Sequence, residues 1–291
     1  ALCAEIREQL GEDAPILVDQ EGGRVQRLAP PHWRAYPAAA AFGRLGLEAD
    51  ATARLIRLGA RLIAHDLREV GVDIDCLPVL DAPTDGAHNV IGDRAYSHDP
   101  AEVGRLGRAA AEGLLAGGVL PVIKHVPGHG RARADSHLEL PVVEAPRADL
   151  VAKDFPPFRA NADLPLAMTA HVVYTAIDPE RPGTLSPAVI GGIIRGIIGF
   201  DGLLMTDDIS MKALSGGFRD RAEAAIRAGC DMILHCNGAL DEARAVAEGA
   251  GALGGRALER ARAALALRSR IEDFDPVDGA CEFDAALAGA A

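Results

Sequence analysis

The 291 residues hold 42 Asp and Glu against 30 Lys and Arg, a formal charge of −12, with 49% hydrophobic and 25% charged positions. That length suits one α/β barrel domain or two modest domains, and the composition is that of a globular chain rather than a disordered one. The acidic balance, with no clustered Lys and Arg, excludes a duplex nucleic-acid binder, which needs a basic face to neutralise phosphates.

No run of about 18 apolar residues occurs, and no charged segment followed by an apolar stretch opens the chain, so neither a membrane span nor an export signal is read. Five cysteines (Cys3, Cys76, Cys230, Cys236, Cys281) form no CxxC and leave an odd one. They read as reduced thiols of a cytoplasmic protein.

In chain order the first expected strand is ILVDQ (16–20). The segment 49–71 then places Leu55, Ile56, Leu62, Ile63 and Leu67 on one helical face. The strand VDIDCLPVLD (72–81), a helix from Pro100 to Gly118 and the strands VLPVIKH (119–125) and PLAMTAH (165–171) follow. Ser186 and Pro187 read as an N-cap and first-turn proline opening a helix from Ala188 to Ile198. GLLMTDD (202–208), a helix from Arg219 to Gly229 and CDMILHCN (230–237) complete the pattern. One or two helices are expected from Ala239 to Arg270, and a polar tail without periodicity after Phe274.

The strands are continuous apolar runs, the mark of a parallel sheet covered on both faces. Alternation with helices leaves a (β/α)8 TIM-type barrel or an open doubly wound sheet. No GxGxxG follows an early strand, and polar residues end many different strands, as on a barrel's C-terminal rim. Six of eight strands are legible, and with no hinge or repeat the expectation is a single barrel domain over 1–291.

In a barrel the rim collects Asp19, Glu21, Asp81, Lys124, His125, His171, Asp207 and Asp208, joined by Arg27, Arg94 and the loop from Pro127 to His137. Carboxylates, cations and histidines with few aromatics suit a hydroxyl-rich ligand such as a sugar. Asp135 and His137, two apart in an extended segment, point the same way and can form a dyad with Ser136 turned away. Gly128 and Gly130 allow the segment to act as a flap. His125 and His129 are a weak metal signal, because Pro127 and Gly128 prevent the helix that would align them. Read alone, Asp207 and Asp208 more simply cap a turn, Asp135 to His137 more often make one than a dyad, and Arg27 and Arg94 are by default solvated or ion-paired surface groups. Asp81 and His171 are expected to position neighbours through hydrogen bonds.

DQEGGRVQR (19–27), IGDRAY (91–96), KHVPGHG (124–130) with ADSHLELP (134–141), AHVVY (170–174) and MTDDISM (205–211) together resemble the motif set of family-3 glycoside hydrolases, from about residue 15 to about 240. Within that family they are similar to the single-domain bacterial β-N-acetylglucosaminidases of peptidoglycan recycling. The resemblance implies a retaining β-N-acetylglucosaminidase, of the β-hexosaminidase class, with Asp207 as nucleophile. It makes His137 the proton carrier, oriented by Asp135, and puts Asp19, Arg27, Arg94, Lys124 and His125 on positions that hold sugar hydroxyls. It implies a carbohydrate substrate, N-acetylglucosamine β-linked to the anhydro-muramic acid of a cell-wall muropeptide. A cytoplasmic monomer without metal, cofactor, nucleic-acid or membrane partner is expected.

The family has a phenylalanine where Val126 stands, and a β/α unit before the DQEGG strand. This chain begins at Ala1 in what reads as the helix of that unit, so upstream residues are expected. Arg131 and Arg133 are expected to offset the acidity for an acidic substrate. Three alternatives stay open: a glycoside phosphorylase using the same dyad, a metal-dependent hydrolase using His125, His129 and His137, and a non-catalytic binder.

Overall fold

A computed structural model describes residues 2–289. The six apolar runs form one sheet in chain order: β1 (Leu17–Val18), β2 (Ile74–Asp75), β3 (Leu120–Val126), β4 (Leu166–Thr169), β5 (Leu203–Asp208) and β6 (Met232–Leu234). Every pairing is parallel, with Ile74 between Leu17 and Leu120, and Leu166 between Val122 and Leu203. A doubly wound sheet reverses strand order at a switch point; here the order never reverses, which is how a barrel wall is built. Among the described residues no pairing joins β6 back to β1, so the wall is a curled sheet of six strands rather than a closed ring of eight.

Side chains alternate along each strand. Ile74 and Cys76, Leu120 and Val122, Leu166 and Met168, and Leu203 and Met205 form one buried cluster inside the curl. These are the stacked layers that fill a barrel interior. Ile123, Ala167 and Leu204 point the other way and pack under the segment from Leu150 to Phe158 and the helix Ala188–Ile198. Burial on both faces is why β2 to β5 read as unbroken apolar runs, whereas β1 and β6, at the ends of the sheet, are only partly buried.

The helix Ala49–Glu69 buries Leu55, Ile56, Leu62, Ile63 and Leu67, as its periodicity predicts, against Leu106, Ala110 and Leu114 of the helix Pro100–Ala116. Asp99 caps the latter by accepting from Ala101 N at 2.9 Å. Ser186 Oγ accepts from Val189 N at 3.1 Å and closes the start of the next expected helix. Two helices, Leu240–Ala250 and Gly255–Leu265, occupy the alanine-rich segment.

The polar tail expected after Phe274 is instead the helix Pro276–Gly289. Its anchor is Phe283, fully buried over Gly59 and near the rings of Tyr36 and Phe42 at 6.3 Å each. Ala280, Ala286 and Leu287 pack beside it, a mostly small set too sparse to register as periodicity.

Candidate active site

Strand β3 delivers two adjacent side chains to one place. Its register against β4 shifts between Lys124 and Val126, and such an irregularity re-aims side chains. Lys124 and His125 both line a cavity of about 530 Å³ at the C-terminal ends of the strands. Asp19, Arg27, Arg94, His137 and Asp207 share it, and the interior layer reaches it through Cys76 and Met168. Of the rim residues named from the strand ends, Glu21, Asp81 and His171 stand behind the cavity wall rather than lining it, and Asp135 of the loop lines a smaller adjoining cavity with His137 and Arg94.

One wall is an ionic chain. Lys124 Nζ lies 2.7 Å from both Asp19 and Glu21, and Arg94 donates Nε and Nη2 to the two oxygens of Glu21 at 2.8 Å each. Arg27 stands at the mouth, 3.8 Å from Asp19 and more than half exposed. Burial alone would raise the pKa of Glu21, but Lys124 and Arg94 hold it down to about 2. Burial would likewise strip Lys124 of its proton, and Glu21 and Asp19 reverse that, so the ammonium stays charged.

The opposite wall is built on Asp81, which has no solvent exposure. It accepts from His125 N at 3.3 Å and His129 N at 2.6 Å, and pairs with His125 Nδ1 at 2.7 Å. Burial pushes its pKa up, but His125 and His129 bring it below the usual carboxylate range. An ionised carboxylate only accepts, so Nδ1 carries the proton. His125 Nε2 then faces Asp207 Oδ2 at 4.0 Å.

Asp207, near the end of β5, is largely buried, and its Oδ1 accepts from Asp208 N at 2.8 Å. Burial would raise its pKa, but His125, His171, the Asp208 N–H and Lys124 keep it lowered and the carboxylate ionised. Asp208 is spent on structure, accepting from Ser210 N at 2.9 Å and Cys236 N at 3.1 Å. His171 donates from Nε2 to the Asp208 carbonyl at 3.0 Å, with Nδ1 2.7 Å from the Thr184 hydroxyl. Burial keeps it neutral against the pull of Asp207. Asp81 and His171 are the hydrogen-bond positioners expected.

The loop from Pro127 is pinned along its stem. Tyr174 donates its hydroxyl to Gly128 O at 2.9 Å, Thr84 N to Gly130 O at 3.0 Å and His88 N to Ala132 O at 2.8 Å. Gly128 takes φ +136, and a Cβ on Gly130 would lie 2.2 Å from the carbonyl oxygen of Ala82, so neither tolerates a side chain. Arg131 is committed to buried Asp154 at 2.7 Å, which leaves Arg133 alone of the two arginines expected to serve an acidic ligand.

Asp135 and His137 do meet, with His137 Nδ1 2.7 Å from Asp135 Oδ1, but not in an extended segment. Asp135 Oδ1 also accepts from His137 N at 2.9 Å, an Asx turn in which the aspartate organises the two residues after it. The turn buries Ser136 against the cavity instead of turning it away, while His137 stays exposed. The competing turn and dyad readings of this triplet are therefore the same geometry.

His129 is buried with its pKa lowered to about 4 by burial and by His125, and its Nδ1 has no partner. His125 and His129 meet edge to face with ring centres 5.7 Å apart, and His137 lines the same cavity, but His125 Nδ1 is held by Asp81. Among the described residues no group of three His, Cys, Asp or Glu side chains is placed to hold a metal. Glu21, left out of the expected sugar-holding set, is the link between Arg94 and Lys124. Its spacing of two from Asp19 was the available signal. His235 and Cys236 also line the cavity at the end of β6, where the rim rule would have found them. Asp75, buried with one oxygen unpartnered and its pKa raised, gives no sign in sequence.

The N-terminal domain of glycosyl hydrolase family 3 matches residues 4–261. The chain belongs to that family. A β-hexosaminidase of Methylococcus capsulatus is 43% identical over 244 residues, 81% of this chain and 70% of that protein. A family 3 β-N-acetylglucosaminidase from Paenibacillus sp. superposes with a TM-score of 0.84 at 31% identity, over 98% of this chain. This chain spans only 59% of that longer one. NagZ from Neisseria gonorrhoeae, solved with N-trifluoroacetyl-D-glucosamine, gives a TM-score of 0.81 at 31% identity, over 99% of this chain and 84% of its own. As a family 3 member this chain is a glycoside hydrolase, and its curled sheet is the family's TIM-type barrel domain.

Proposed function

We propose that this glycoside hydrolase, of the β-hexosaminidase type, is a retaining β-N-acetylglucosaminidase that removes nonreducing terminal N-acetylglucosamine from muropeptide fragments of the cell wall. Asp207 carries the proposal: an ionised carboxylate beside His125, His171 and the Lys124 ammonium in a cavity lined by hydrogen-bonding groups, with an Asp–His pair on an adjoining loop.

In the first step a carboxylate oxygen of Asp207 bonds to the anomeric carbon as the bond from that carbon to the leaving oxygen breaks. His137, protonated, gives its Nε2 proton to the leaving oxygen, and Asp135 behind Nδ1 stabilises the imidazolium beforehand. In the second step neutral His137 takes a proton from water, the oxygen of which attacks the anomeric carbon and releases Asp207. Two inversions leave the β configuration. Asp19, Arg27, Arg94, Lys124 and His125 hold the sugar hydroxyls, where charge-assisted hydrogen bonds are strong.

No step requires a metal or cofactor, and the chain acts as one catalytic domain and as a monomer. Five unpaired cysteines suit the reducing cytoplasm. No helix among the described residues is long and apolar enough to cross a membrane.

The test is turnover of aryl β-N-acetylglucosaminide beside aryl β-glucoside, with labelling by a 5-fluoro-N-acetylglucosaminyl fluoride and peptide mass spectrometry. Turnover of the first substrate, with the label on Asp207, is expected. A folded protein labelled elsewhere, or inactive on both substrates, would overturn the proposal. Product analysis with added phosphate separates water from phosphate as the acceptor of the second step: a sugar 1-phosphate would make the enzyme a phosphorylase.

A further inference from the structure

We propose that Gln20 is a positioning residue of the sugar site, its buried side-chain amide setting where Arg27 stands over the cavity; this rests on Arg27 holding a sugar hydroxyl. Asp19 and Glu21 both reach Lys124, and side chains alternate along an extended strand, so the side chain between them turns away from that wall. Gln20 is fully buried, and what it touches is backbone. Its Oε1 accepts from Arg27 N at 2.8 Å and Leu28 N at 3.0 Å, and its Nε2 donates to Leu28 O at 2.9 Å. These bonds fasten the chain just beyond the hairpin in which Gln20–Gly22 pairs antiparallel with Val25–Gln26. Gln26 adds a second hold: Nε2 donates to Leu28 O at 2.8 Å and Arg34 O at 2.6 Å, and Oε1 accepts from Tyr36 N at 3.0 Å. On the other side Gln20 N donates to Asp75 Oδ1 at 3.0 Å, which ties the hairpin to β2.

The side chain of Arg27 has far less to hold it. Its guanidinium is more than half exposed at the cavity mouth, and the carboxylate beside it, Asp19, is 3.8 Å away. An ion pair this long and this exposed is too weak to keep a flexible side chain in one place. Direction therefore comes from the backbone. With the N–H of Arg27 and both polar backbone groups of Leu28 fixed by Gln20, the Cα–Cβ bond of Arg27 is aimed at the mouth, and the guanidinium searches only the space over Asp19. Lys124 and His125 need no such device, because they stand on β3, the longest strand of the sheet. Arg94 needs none either, because Glu21 binds it through both oxygens. Among the cationic groups assigned to the sugar, Arg27 is the one whose place is set from its backbone, and Gln20 is the side chain that sets it.

The experiment is a double-mutant cycle of Gln20→Met and Arg27→Ala in the full chain, read as kcat/KM on 4-nitrophenyl β-N-acetylglucosaminide per folded enzyme, with the thermal midpoint measured beside it. Methionine keeps the volume of the glutamine and removes its hydrogen bonds. Arg27→Ala should lower kcat/KM by about 10- to 100-fold, the worth of a hydrogen bond to a charged group. Gln20→Met lets Arg27 drift and should take part of that, about 3- to 30-fold, but less than about twofold where Arg27 is already alanine. A purely structural role would lower the thermal midpoint and change kcat/KM equally, or not at all, in both backgrounds, and that result would overturn the inference for Gln20 alone. A wild type inactive on this substrate, or Arg27→Ala with unaltered kcat/KM, would overturn the underlying reading of the site and the role of Gln20 with it. Should Gln20→Met not fold, amide hydrogen exchange in the wild type decides: protection of the Arg27 and Leu28 N–H groups supports the inference, and exchange at the rate of open chain overturns it.

Discussion

Arg94 grips Glu21 through two parallel hydrogen bonds of 2.8 Å, and both side chains are nearly out of solvent. Lys124 completes the group from β3 at 2.7 Å. Truncation to Glu21→Ala leaves two cations without their shared partner and should destabilise the fold by about 3–5 kcal/mol. The pH dependence has a definite sign. The Glu21 pKa is depressed from 4.5 to about 2 in the folded protein. Its contribution is therefore present above 4.5 and is lost as pH falls toward 2, and on the order of 3 kcal/mol is at stake. Urea unfolding of wild type and Glu21→Gln should show a stability gap at neutral pH that narrows across this window. A gap that does not change with pH would mean the carboxylate charge is not what Arg94 and Lys124 hold.

The Asp135–His137 pair separates proton transfer from loop structure. His137→Ala removes the proposed proton carrier and should cost about 10²- to 10⁴-fold on substrates with poor leaving groups. On dinitrophenyl glycosides, whose leaving oxygen needs no proton, the first step should be nearly untouched. Asp135→Asn keeps an oxygen for the His137 N–H and so keeps the turn, while losing the charge behind Nδ1. Its loss should lie between wild type and His137→Ala on poor leaving groups. Equal losses on both substrate types would place the defect in the loop instead of the chemistry.

Gly130 tests whether the pinned stem of that loop matters. A methyl group there would lie 2.2 Å from the Ala82 carbonyl oxygen, and backbone cannot swing aside as a side chain can. Relief would come by separating the loop from residues 82–84, breaking the Thr84 N to Gly130 O bond and straining the His129 N to Asp81 bond. Gly130→Ala should lose about 1–3 kcal/mol of stability and reduce kcat. Gly191→Ala is the control: nothing lies within 4 Å of a Cβ there, and the position is helical. That change should be neutral or stabilise by up to about 1 kcal/mol.

What was legible in the sequence followed from burial and strand direction. Two-sided burial wrote the four central strands as apolar runs, and the rim rule collects Asp19, Lys124, His125 and Asp207 from the strand ends. The tie of Arg94 to Glu21 was not legible, because 73 residues separate partners that only the curl of the sheet brings together. The turn at Asp135 was offered by the sequence beside the extended dyad, but not that one aspartate oxygen would serve both. Arg131 misled for a related reason: Asp154, which claims it, lies 23 positions away on another segment.

The C-terminal helix Pro276–Gly289 was missed because its largest buried side chain is a single aromatic, with only Ala280, Ala286 and Leu287 packed beside it, and that makes the attachment testable. Phe283 is fully buried beside Gly59, Tyr36 and Phe42. Phe283→Ala should cost about 3–5 kcal/mol, the usual loss for emptying an aromatic site. From the other side, a Cβ on Gly59 would stand 2.7 Å from Phe283 Cε2, so Gly59→Ala overpacks the contact and should cost about 1–3 kcal/mol. If the two residues fit together as described, the penalties cannot add. With Phe283 shortened to leucine, the methyl at position 59 gains room, and Gly59→Ala should become nearly neutral. A double-mutant cycle measured by urea unfolding should then give a coupling of about 0.5–3 kcal/mol. Additive penalties would mean that Gly59 and Phe283 do not touch and that the helix docks by some other surface.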